Sequence, residues 1–93
     1  MSTENTGVDS DSVAVTNRQL TWRSRRGMLE LELMLLPFVR SKLADLSAAD
    51  RAAYARLLDH DDWDIFEWLQ GRLEPEDPSL GGILEQIRLA NTP

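Results

Sequence analysis

The residues best suited to molecular recognition lie close together near the start of this chain. They are Trp22, Arg25, Arg26, Gly27, Met28 and Glu30. The planar guanidinium group of arginine binds carboxylates and phosphates through paired hydrogen bonds, and a nearby glutamate adds the opposite charge. Because glycine has no Cβ, another chain can approach its backbone closely. Tryptophan and arginine are also favoured anchors of interfaces. The segment therefore predicts a partner-binding site.

A second interpretation of Gly27 is that it only ends a helix. Glycine costs roughly 1 kcal/mol relative to alanine inside a helix, and it is common at the left-handed position that follows one. Arg23, Arg25 and Arg26 would then lie in a last turn, where positive charge suits the helix dipole. We predict an elbow between two helices at Gly27, and one continuous helix is the alternative.

The rest of the chain must position these residues, and its pattern is helical throughout. Residues 1–16 are polar, without apolar periodicity, and predict a disordered tail. Residues 17–93 predict a single all-α domain, a small five-helix bundle. The first predicted helix runs from Thr16 or Asn17 to about Arg26, and the second starts at Met28 with a kink or break at Pro37. The third starts at Ser47, the fourth runs from Asp61 or Asp62 to Gly71, and the fifth starts at Asp77 with Pro78.

Apolar residues at helical spacing predict the core. They are Leu29, Leu33, Leu35, Leu36, Phe38 and Val39 in the second helix, Ala53, Tyr54, Leu57 and Leu58 in the third, Ile65, Phe66 and Leu69 in the fourth, and Leu80, Ile83, Leu84 and Ile87 in the fifth. Trp68 is expected in the core and Trp63 partly at the surface. Trp22 is either an interface anchor or a core residue.

Charge is distributed unevenly along the chain, whose net charge is -6. Arginines cluster between residues 18 and 26, and acids cluster between residues 59 and 67, so the sequence predicts a basic pole and an acidic pole. The acidic segment does not fit a calcium loop, because its sixth and twelfth positions are Asp64 and Gln70. Helix capping accounts for Asp61, Asp62 and Asp64, and His60 has no partner in the sequence. We expect no metal site and, given the acidic balance, no nucleic-acid partner.

Several further functions find no support in the residues. The chain has no cysteine and a single histidine, and it has neither a phosphate-binding glycine loop nor a nucleophile–base arrangement. Its apolar runs are far shorter than the roughly 20 residues that span a bilayer, and its start does not resemble a secretory or mitochondrial signal. We expect a soluble cytoplasmic monomer that is not an enzyme and holds no cofactor of its own.

Two stretches resemble the SdhE family, the flavinylation assembly factors of succinate dehydrogenase. The first runs from Trp22 to Glu32 and is followed by Leu36-Pro37-Phe38, and the family's Arg-Gly-x-x-Glu motif lies on Arg26, Gly27 and Glu30. The second stretch is residues 57–69. The likeness covers about residues 17–90. Trp63, where many members have proline or a small polar residue, and the long polar tail are departures from the family pattern.

This resemblance implies a five-helix bundle that binds the flavoprotein subunit of succinate dehydrogenase or fumarate reductase. It also implies that the bundle promotes covalent attachment of FAD to that subunit, so that FAD belongs to the client and the small protein acts as a chaperone. Members of the same family have also been described as antitoxins. An antitoxin-like module with a membrane toxin as its partner is therefore one alternative function, and a nucleic-acid-associated protein that uses the arginine patch is the other, less favoured one.

Overall fold

The computed structural model describes residues 16–92, and within this range the protein is all-α. Its five helices are α1 (Asn17–Arg23), α2 (Leu29–Ser41), α3 (Ala48–Leu58), α4 (Asp62–Leu69) and α5 (Gly81–Ala90), with short 3-10 turns at Leu43–Asp45 and Pro78–Leu80. The predicted five-helix architecture is confirmed. The predicted tail, residues 1–16, lies outside the described residues except for Thr16.

Side-chain caps begin the helices largely where the sequence predicted them. Thr16 and Gln19 form a reciprocal capping box at the start of α1, with hydrogen bonds of 3.0 and 3.1 Å. Ser47 accepts a hydrogen bond from the Asp50 amide at 3.0 Å. At α4 the cap is Asp61, which leaves the carboxylate of Asp62 for another role.

Pro37 lies inside α2, and the helix continues past it to Ser41. Of the predicted kink or break at this point, the break is excluded, and the kink stays a prediction. A proline removes one hydrogen bond, to the carbonyl four residues earlier, and here that carbonyl belongs to Leu33. The loss of this single hydrogen bond does not end α2, which continues for four residues beyond the proline.

One apolar core joins all five helices. Most predicted core residues of α3, α4 and α5 are buried, and Trp68 is buried as well. Phe38 and Tyr54 lie at its centre, with ring centroids 4.9 Å apart. Ser24 is the buried polar residue within residues 16–92, and its hydroxyl lies 2.6 Å from that of Tyr54.

The prediction for α2 is wrong in part. Leu31, Leu35 and Phe38 face the core and are fully buried, whereas Leu29 and Leu33 are 63% and 56% exposed. Every face of this helix carries apolar residues, so periodicity could not identify the face that packs against the other helices. Phe66 is likewise only half-buried.

Candidate functional site

The predicted elbow is present, and the alternative of one continuous helix is excluded. Helix α1 ends at Arg23, three residues earlier than predicted, and α2 begins at Leu29. Gly27 does not adopt the left-handed conformation predicted for it. Among the glycines of residues 16–92, only Gly71 has a positive φ, of 77°, and it follows α4 as predicted.

Ser24 and Tyr54 determine where α1 ends. The Ser24 hydroxyl donates to the Leu20 carbonyl at 2.7 Å and is hydrogen-bonded to the Tyr54 hydroxyl at 2.6 Å. Burial raises the pKa of Tyr54 to about 12, against a smaller lowering by Ser24, Arg26 and Arg23. The phenol therefore stays neutral at physiological pH and holds the chain where it leaves the helix.

Arg26 fastens the elbow to the connection between α3 and α4. Its Nε donates to Asp62 Oδ1 at 2.7 Å. Nη1 donates to the carbonyls of Arg23 and Leu58 at 2.9 and 3.1 Å, and Nη2 to that of His60 at 3.0 Å. The Arg26 side chain is only 14% exposed. Its guanidinium group thus links the elbow, the end of α1 and the connection between α3 and α4.

Two carboxylates satisfy the backbone of the elbow. Asp62 Oδ2 accepts from the Met28 amide at 3.1 Å, and Glu32 Oε1 accepts from the Arg26 amide at 2.8 Å. Because an irregular segment has no helical partners for its amides, side chains must supply them. Asp62 therefore binds the elbow through both oxygens, one to a side chain and one to the backbone.

These contacts correct two expectations from the sequence. The interpretation that Arg26 lies in the last turn of the first helix is wrong, since α1 ends at Arg23, and the donors of Arg26 are directed into the protein. The basic and acidic poles are not separate surfaces, because Arg23 pairs with Asp59 and Arg26 pairs with Asp62. The partner-binding role of Arg26 itself stays a prediction.

Gly27 lies exposed in this fixed segment. A Cβ built on it would meet Asp62 Oδ2 at 3.9 Å, which is ordinary contact, and no other neighbouring atom within 4 Å. Its backbone conformation is also open to other residues, because its φ is not positive. The free protein therefore gives no steric or conformational reason for a glycine at this position.

Other predicted site residues surround Gly27 in the sequence and remain accessible. Trp22 is 70% exposed, which excludes the core alternative for it, and the Arg25 guanidinium carbon lies 5.5 Å from the centre of its ring. Glu30 is exposed, Met28 is half-buried, and the ion pairs within residues 16–92 include neither Glu30 nor Arg25. The elbow thus offers both charges and an aromatic ring to a partner.

The sequence did not reveal the residues that hold this site together, which are Ser24, Tyr54, Glu32 and Asp62. The sequence gives a partial indication for Asp62, because only one carboxylate is needed to cap α4 and a second one at the same end is available for other contacts. Within residues 16–92, no group of three or more acidic or histidine side chains is placed to hold a metal ion. No helix in that range has the length and apolar character needed to cross a bilayer.

Residues 18–91 match the Sdh5 family, described as "Flavinator of succinate dehydrogenase". The chain is also similar to curated proteins named "FAD assembly factor SdhE". That of Pseudomonas aeruginosa is 44% identical over 70 residues, 75% of this chain and 83% of the relative. That of Pseudomonas putida is 48% identical over 69 residues, 74% and 82% of the two chains. The Shewanella oneidensis protein is 39% identical over 70 residues, 75% and 85% of the two chains.

Proposed function

This chain belongs to the family of succinate dehydrogenase flavinators, and we propose that it binds a flavoprotein subunit and promotes covalent attachment of FAD to it. The client is the flavoprotein subunit of succinate dehydrogenase or of fumarate reductase. The relatives are named FAD assembly factors, which supports a role in assembly. In this proposal FAD belongs to the client, and the chain contributes binding and no catalytic group.

Gly27 is the strongest structural support for this function. It lies exposed in the elbow and has space for a side chain in the free protein. A glycine that the fold does not require is explained if the backbone of a partner lies against it, because a Cβ would then occupy the space of that partner. The elbow is accordingly the surface that we assign to the flavoprotein.

The residues around Gly27 have two different roles in this proposal. Arg26 and Asp62 are positioning residues, since they fix the elbow from within. Arg25, Glu30 and Trp22 are exposed and supply the contacts. A charged hydrogen bond gains strength as an interface excludes water from it, so the exposed charges add both affinity and orientation.

Deletion of the gene tests this function directly. The flavoprotein subunit is isolated from the deletion strain, denatured, and examined for the fluorescence of covalently bound flavin. We expect the covalent flavin to be reduced strongly and to return when the wild-type gene is restored. Return is not expected with Gly27→Trp, provided that this variant accumulates as a folded protein.

A tagged form of the chain provides an independent measurement, since the flavoprotein subunit should co-purify with it. Unchanged covalent flavin in the deletion strain, with no flavoprotein on the tagged chain, would refute the proposal. Recovery of a small membrane protein instead would favour the antitoxin-like alternative.

A further inference from the structure

Leu29 and Leu33 form an exposed apolar pair that the core does not use. The two side chains are 63% and 56% exposed. They lie four residues apart on α2, so they are neighbours on one helix face. We propose that this pair is the apolar anchor of the flavoprotein-binding surface, and that the client presents an apolar side chain beside a basic group there. This inference rests on the function proposed above.

The position of the pair connects it to the elbow. Leu29 follows Gly27 by two residues, and Leu33 lies one turn further along α2. Leu31, Leu35 and Phe38 bury the opposite side of the helix, so the leucine pair points away from the bundle. Gly27 and the leucine pair are therefore all exposed within one short stretch of the chain.

Glu30 determines the charge that the partner must carry beside its apolar side chain. It lies three residues before Leu33 on α2, which makes the two side chains neighbours on the helix surface. Glu30 is exposed, and it has no ion pair within the described range. A partner that covers the leucines also covers this carboxylate, and burial of an unpaired charge is costly. The matching surface therefore carries a lysine or an arginine.

The same charge argues against two other occupants. A second copy in a two-fold dimer would apply the same surface to itself, so the acidic Glu30 would flank the leucine contact from both chains. Residues 1–15 of this chain contain Glu4, Asp9 and Asp11 and no basic residue, so they would repel Glu30 as well. A different protein with an apolar and basic surface satisfies both requirements.

A double variant, Leu29→Gln with Leu33→Gln, tests the anchor. Leu89→Gln is the matched control, because Leu89 is 58% exposed and lies on α5. The affinity of each full-length protein for the purified, non-flavinylated flavoprotein subunit is measured by titration calorimetry.

We expect the dissociation constant of the double variant to rise about 10- to 100-fold, because two leucine side chains would no longer be removed from water on binding. The control and the thermal midpoints of all variants should remain near those of the wild type. The pair Leu29→Ala with Leu33→Ala, which introduces no polar group, provides a second variant with the same expectation. Wild-type affinity in both double variants would overturn this inference while the proposed function stands.

Three other outcomes also overturn it. If the wild-type protein and the control do not bind the flavoprotein, the proposed function fails together with the anchor. A wild-type dimer that the double variant converts to a monomer, measured by sedimentation, would assign the leucines to a second copy. Removal of residues 1–15 that tightens client binding in the wild type but not in the double variant would assign them to the tail.

Discussion

Arg26 and Arg25 are adjacent in the sequence, and we predict a large loss of stability when Arg26 is replaced by alanine and little change when Arg25 is. Arg26 is 14% exposed and donates four hydrogen bonds, to one carboxylate and three carbonyls. The Arg25 side chain contacts the exposed ring of Trp22. Arg25→Ala therefore serves as the matched control, with the same loss of charge and side-chain length at the neighbouring position.

The magnitude for Arg26→Ala follows from these contacts. A hydrogen bond that involves a charged group contributes about 1.5–3 kcal/mol, and removing one partner of a buried ion pair costs about 3–5 kcal/mol. The four contributions are not additive, because water can replace the arginine at carbonyls near the surface and Asp62 is 26% exposed. We expect a loss of about 2–4 kcal/mol in the free energy of unfolding.

Arg25→Ala should change the unfolding free energy by no more than about 0.5–1 kcal/mol, the value of an exposed cation–π contact. Urea unfolding of the two variants, followed by tryptophan fluorescence and helical circular dichroism, measures both free energies. For a domain of this size, the Arg26→Ala loss corresponds to a fall in thermal midpoint of roughly 10–25 °C.

Equal stability of the two variants would refute the assignment of Arg26 as an internal clamp. Normal flavinylation by Arg26→Ala at a temperature where it is folded would show, in addition, that the clamp is not needed to present Gly27. Loss of flavinylation by Arg25→Ala, with stability unchanged, would confirm that Arg25 contacts the client.

Three other expectations concern single positions or the chain terminus. Gly27→Ala should leave the unfolding free energy unchanged or raise it by about 0.4–1 kcal/mol, since alanine restricts the unfolded chain. The affinity for the client should fall. Equal losses of unfolding free energy, measured with urea, and of binding free energy, measured by calorimetry, would contradict this. Tyr54 has a folded pKa of about 12, above its ordinary value of 10.0, so its contribution to stability is complete below pH 10 and lost as pH rises to 12. Since Tyr54 is the single tyrosine in the chain, a phenolate absorbance titration of the folded protein tests this, and a midpoint near 10 would contradict it. Removal of residues 1–15 should leave helical content and thermal midpoint unchanged, and a midpoint lowered by many degrees would show that the tail stabilises the bundle.

The sequence by itself determined the helices and most of their limits. Ser47 and Asp77 begin helical segments, and Gly71 follows one, because capping depends on hydrogen bonds between residues two or three positions apart or on the conformation of one residue. The recognition segment at Gly27 was also visible, since its arginines, glycine and glutamate are close in the sequence. Contacts between residues that are close in the sequence can therefore be predicted from the sequence.

The tertiary structure alone decided what each residue of that segment does. Arg26 meets Asp62 across 36 positions, and the local pattern only indicates that one of several neighbouring carboxylates is available, not that it binds Arg26. The same holds for α2, where apolar residues on every face left the buried side undetermined until the other helices covered Leu31 and Leu35 and left Leu29 and Leu33 in water. Contacts between distant positions depend on how the helices pack, and only the packed bundle separates a structural arginine from an exposed one.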